Sequence, residues 1–164
     1  MAKAKTSRPL TEAEYMALAE FRFQLRRFMR NMEEAVRQYQ VNPQQYQLVL
    51  AIKGLPKGEV PSISRLAQRM QLNHNSMVEL VDRCEERGLL RRVRSGVDRR
   101  LVTLTIASDG EALLNKLGSA ARSELREVGH QLVDSVLKLT GEHRPAKGGA
   151  DNKSRLAYIR KAGR

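Results

Sequence analysis

Tryptophan is absent from this 164-residue chain, and four tyrosines and three phenylalanines are its whole aromatic complement. The single cysteine, Cys84, excludes an internal disulfide framework and fits a reducing, cytoplasmic setting. No run approaches the ~18 apolar residues that a membrane-spanning helix requires, so no membrane partner is expected. The basic start, Met1 to Pro9, has no apolar stretch behind it and does not read as a secretory signal. Three histidines, His74, His130 and His143, are scattered without helical ligand spacing, so no metal and no cofactor is expected. Glu33–Glu34 and Glu85–Glu86 are adjacent rather than facing, as on solvated helix faces. With no nucleophile–base arrangement and no phosphate-cradling glycine loop, the chain has no catalytic residues to nominate and is not expected to be an enzyme.

Positive charge is what the chain has in excess. Thirty Lys and Arg against 18 Asp and Glu give +12, which predicts attraction to a polyanion. Residues 1–10 carry +3, residues 62–100 carry nine arginines against five acids, and residues 143–164 carry seven bases against one acid. Residues 11–40 are balanced and residues 101–142 mildly acidic. The excess is therefore confined to one internal segment and both ends.

The first helix opens on a capping box, Thr11 with Glu14, with Leu10 and Tyr15 as its hydrophobic staple. Leu18, Phe21, Leu25, Phe28, Met32, Ala35 and Tyr39 then alternate steps of three and four, a stripe suited to packing along another helix as far as about Gln40. Asn42, Pro43 and Gln45 start a second helix that stops at Gly54. Ser62 caps a short third helix, and Asn73 a fourth that runs to Arg87 and buries Met77, Leu80, Val81 and Cys84. Gly88 stands where a left-handed residue ends that helix. Helix, three-residue turn, helix is the outline of a helix-turn-helix.

After Gly88 the period becomes two. Leu89–Arg94 and Leu101–Ile106 read as strands of a hairpin turning at Ser95 to Asp98. Ser108 with Glu111 makes a further capping box, opening a long helix to Leu139 in which Gly118 and Gly129 are weak points. The fold class is therefore mainly α with a small β-hairpin wing (α+β): a winged helix-turn-helix between long N- and C-terminal dimerisation helices. The expected parts are a basic N-terminus (1–10), a dimerisation helix (11–40), the winged DNA-binding domain (41–107), a second dimerisation helix (108–139) and a basic tail (140–164).

Two groups of residues are candidates for double-stranded DNA. On the fourth helix, opposite its apolar side, Asn75 can pair bidentately with adenine and Glu79 can accept from cytosine N4. His74 and Ser76 flank them, and Asn73, Val78 and Arg83 complete the candidate surface. On the hairpin, Arg92, Arg94, Arg99 and Arg100, with Asp98 beside them, sit where a wing meets a minor groove that attracts arginine.

Leu66-Ala67, Leu72, Leu80-Val81-Asp82-Arg83, Glu85 to Leu89, Asp98-Arg99-Arg100 and Gly110, in that order, resemble the MarR family of winged-helix regulators. The resemblance covers about residues 11–139 and is most specific over 66–110. It implies a homodimeric transcription regulator, usually a repressor, that binds an inverted-repeat operator, with Asp98 orienting an arginine and Arg100 entering the minor groove. It also implies a small aromatic effector held between the dimerisation helices and the winged lobe, for which Tyr15, Phe23, Arg26, Met29 and Tyr46 are candidates. An architectural DNA-binding protein of low sequence specificity is the alternative on the same residues.

Overall fold

The computed structural model describes residues 8–94 and 102–141. Helix α1 spans Glu12–Arg37, α2 Pro43–Lys53, α3 Ile63–Met70 and α4 His74–Glu86. Strands β1, Leu90–Arg94, and β2, Val102–Ile106, lead into α5, Ser108–Thr140. The strands pair antiparallel, Leu90 opposite Ile106 and Arg94 opposite Val102. Ser62 adds a bridge to Thr103, and Leu104 N–H donates to Pro61 O at 2.9 Å, which attaches the hairpin to the start of α3.

Local chemistry starts most of these helices. Thr11 and Glu14 form the expected capping box, as do Asn42 and Gln45, with Pro43 in the first turn of α2. Ser62 Oγ accepts from Arg65 N–H, and Asn73 Oδ1 from Ser76 N–H. Gly88 has φ of +67°, as its helix-ending position requires.

The main differences from the sequence expectations lie in α1 and α5. Helix α1 stops at Arg37 rather than near Gln40, because the chain turns over Gln38–Gln40 and Gln40 adopts φ of +57°. At the start of α5, Ala107 is the N-cap, without a side-chain cap bond, and Ser108 is already helical. There the helix is placed by packing: Ala107 N–H donates to Leu89 O at 3.0 Å, and Glu111 binds Lys53 Nζ instead of completing a box. Helix α5 is also continuous through Gly118 and Gly129, since each loses only helix propensity there and the packing along α1 outweighs it.

The core lies beneath the helix-turn-helix. Leu48 and Val49 of α2, Leu66 of α3, Met77, Leu80, Val81 and Cys84 of α4, and Leu90 and Leu104 of the hairpin are buried together. Leu113 and Leu117 of α5 and Met32 and Val36 of α1 extend it. Beyond that point α1 and α5 run antiparallel, tied by Asn31 Nδ2 to Glu124 Oε1 at 2.8 Å and by Arg27 to Glu127 at 3.3 Å.

The stripe on α1 divides into two. Met32 is buried, and Phe21, Phe28 and Ala35 are half-buried. Leu18, Leu25 and Tyr39 remain exposed with Tyr15, Met16, Phe23 and Met29. A three-and-four repeat drifts around a straight helix of 3.6 residues per turn, so the two edges of one stripe meet different surroundings.

Candidate nucleic-acid interface

The turn between α3 and α4 depends on Gln71, which takes φ of +55° and lets α3 end within one residue. Leu72 N–H then returns to Ala67 O at 2.9 Å, and Asn73 caps α4. Helix α4 is seated by Met77, Leu80, Val81 and Cys84, none more than 1% exposed. A second attachment comes from α2: the buried Gln45 donates from Nε2 to Arg83 O at 3.0 Å while its Oε1 accepts from Asn42 N–H. Gln45 thus caps α2 and braces α4, and only the first role is written in local sequence.

The opposite side of α4 is open. His74, Asn75, Glu79, Asp82, Arg83 and Glu86 are exposed, and Ser76 and Val78 are half-buried. Asn73 is exposed too, with its side-chain oxygen committed to the cap. Glu79 and Arg83 are one helical turn apart, with 4.0 Å between their charged atoms. Asn75 therefore stands exposed in the first turn of α4 and Glu79 in the second, while the Ser76 and Met77 N–H groups are taken by Asn73 Oδ1 and Asn73 O.

On the hairpin, Arg91 and Arg94 are exposed. Arg92 is placed differently: its guanidinium binds Asp82 at 2.5 Å and Glu85 at 2.5 Å, and its side chain is 27% exposed. The Arg92 backbone N–H also donates to Glu85 Oε1, and this bond together with the guanidinium holds the Glu85 carboxyl below its usual range. The remaining wing candidates, Asp98, Arg99 and Arg100, lie outside the described residues.

The five candidates for a small ligand differ in exposure. Tyr46 is 7% exposed within the core, whereas Tyr15, Phe23 and Met29 are exposed on α1, as is Arg26. An open cleft of about 500 Å³ lies elsewhere, along α5 from Leu114 to Arg126, and none of the five lines it. Cys84 is fully buried, and that burial pushes its thiol up to about 12. Among the described residues there is no His, Cys, Asp and Glu cluster able to hold a metal, and no helix is long and apolar enough to cross a membrane.

Residues 39–101, which contain α2 to β1, match the model of the MarR family. A regulator of Bacillus subtilis, the HTH-type transcriptional regulator YsmB, is 24% identical over 106 residues, covering 65% of this chain and 70% of that protein. Among solved structures, AbsC of Streptomyces coelicolor, a MarR family transcriptional regulator, aligns with a TM-score of 0.61 at 17% identity, over 95% of this chain and 93% of that one. MepR of S. aureus, solved as a complex with DNA, aligns with a TM-score of 0.59 at 14% identity, over 94% and 99% of the two chains. At such identities the structural likenesses carry the fold, and the family model carries the kinship of the helix-turn-helix. The helix-turn-helix segment of this chain thus matches the MarR family, and its described fold is the winged-helix fold of MarR-family regulators.

Proposed function

We propose that the chain acts as a homodimeric repressor that recognises an inverted-repeat operator. The observation that carries this reading is the open start of α4, where Asn75 and Glu79 stand exposed on the first two turns of a helix whose other side is fixed in the core. In this reading residues from Asn73 to Arg83 read base edges in a major groove, and the hairpin arginines other than Arg92 reach phosphates and the neighbouring minor groove. A fold neighbour, MepR, solved as a complex with DNA, supports DNA as the partner.

The two-part organisation belongs to this proposal. The lobe 41–107 meets DNA, and the helices 11–40 and 108–139 dimerise. Exposed Leu18, Phe23, Leu25 and Met29 of α1, with Leu125, Val133 and Val136 of α5, are the apolar surface that a second copy covers. The reading does not extend to an effector.

Selection of duplexes from a random pool by the purified protein tests the reading. The expected product is a two-fold symmetric site with half-sites ~10 base pairs apart or a multiple of that. A promoter bearing the selected site should fall silent when the protein is supplied. Enrichment of no sequence, with every duplex competing equally, would return the chain to the architectural alternative.

A further inference from the structure

The recognition helix of this chain carries an unfavourable charge for its task. Helix α4 holds four carboxylates, Glu79, Asp82, Glu85 and Glu86, against one arginine, Arg83. Presented bare to a phosphate backbone, such a helix would be repelled. Two of those carboxylates, Asp82 and Glu85, are bound by the single guanidinium of Arg92, which reaches them from the wing strand β1. Glu85 also accepts the Arg92 backbone N–H at 2.9 Å, so one α4 side chain holds both the main chain and the side chain of β1. For Arg92 to reach a phosphate instead, it would have to abandon two carboxylates at the DNA-facing helix.

We infer that Arg92 is a positioning residue rather than a phosphate contact: it masks Asp82 and Glu85 and fixes the wing against α4, so that helix and wing meet one duplex together. The inference rests on the DNA-binding reading above, but its structural half is independent of DNA. The clamp joins positions ten and seven residues apart in sequence, across the Gly88 turn, and no cap or propensity rule marks it.

Salt titrations of duplex binding, with hydrogen exchange on the free protein, test it. Arg92→Ala should weaken binding severalfold while leaving the log–log salt slope unchanged, because no phosphate contact is lost. Adding Asp82→Asn and Glu85→Gln to Arg92→Ala should recover part of that loss, since the carboxylates left bare are gone. Arg92→Lys keeps the charge and guards against a folding defect, yet it cannot span both carboxylates, and it should weaken binding as well. In the free protein Glu85→Gln should reduce exchange protection of the Arg92 amide. A slope reduced by ~0.9 in Arg92→Ala, with no recovery from the carboxylate changes, would make Arg92 a phosphate contact and overturn the proposal. Full affinity in Arg92→Lys, or unchanged Arg92 amide protection in Glu85→Gln, would also overturn it. Wild-type protein that binds no duplex, with the exchange effect present, would instead defeat the DNA-binding reading and leave the clamp standing.

Discussion

Gly110 of α5 lies directly against the main chain of Leu89, so close that a β-carbon at 110 would collide with the Leu89 carbonyl oxygen. The same oxygen accepts from Ala107 N–H, so the residue before the hairpin and the first turn of α5 are joined at one point. Ile106 also crowds the site, and the nearest obstacle is backbone that cannot rotate away. Gly110→Ala should therefore destabilise the fold by about 1–3 kcal/mol, although alanine is the better helix former. Denaturant unfolding of the two proteins measures this, and equal or greater stability in the variant would show that the helix and hairpin can separate at no cost.

Cys84 gives a prediction in pH. Its thiol is fully buried, and burial raises it from an ordinary value of 9.0 to about 12. A folded-state value above the unfolded one means that the folded protein holds its proton longer. The stabilising contribution is complete below about 9 and is lost as pH rises from there through about 12. Cys84→Ala should flatten that part of the stability profile while lowering stability at neutral pH through the void it leaves. At neutral pH the folded wild type should resist thiol reagents and react only on unfolding. Rapid labelling of the folded protein would show that the site opens and would make an oxidant response worth testing.

The four side-chain caps that hold, at Thr11, Asn42, Ser62 and Asn73, were legible because a cap is local chemistry within three residues. The buried side of α4 was legible for the same kind of reason, through its helical period. Ser108 misled because its box was complete in sequence, whereas the start of α5 is placed by Leu89, Lys53 and the close approach of Gly110. The arginines of the hairpin look alike in sequence, yet Arg92 is bound to α4 and Arg91 and Arg94 are exposed. Which arginine is clamped depends on the crossing of β1 and α4, and a local pattern does not encode that. Tyr46 is a similar case, since its helix buries it in the core whereas the aromatic residues Tyr15 and Phe23 of α1 are exposed.

Helix α1 carries the test of assembly. Leu25 is 41% exposed and lies near Leu18 and Met29 on the same side, away from the face that α5 covers. A charge at that position costs little in a lone chain and much in a dimer interface, where it must be desolvated. Leu25→Glu should therefore keep its helical content and lower the sedimenting mass from two chains toward one at micromolar concentration. DNA affinity should fall with it, because two half-sites bound by linked lobes gain from effective concentration. A wild type that sediments as a single chain would remove the dimer from the proposal. A variant that stays dimeric would place the interface elsewhere on α1 or α5.

The final prediction separates base reading from groove binding. Asn75 is exposed in the first turn of α4, and Arg100, two positions past Asp98 in sequence, lies outside the described residues. The major groove distinguishes all four base pairs, whereas the minor groove mainly distinguishes A·T from G·C. Asn75→Ala should cost ~1–3 kcal/mol on the selected site and leave affinity for random duplex nearly intact. Arg100→Ala should instead weaken binding to every duplex and flatten the salt dependence by ~0.9 in log–log slope, one phosphate-equivalent charge. Asp98→Ala decides how the wing holds its arginine. Removing a negative charge near phosphate would by itself tighten binding, while losing the group that orients an arginine weakens it. We expect weakening, because a freely rotating guanidinium must be ordered at the moment of binding. Salt titrations of the three variants on selected and random duplexes provide the measurement. Tighter binding by Asp98→Ala would refute the orienting role, and full affinity in Arg100→Ala would remove that side chain from the interface.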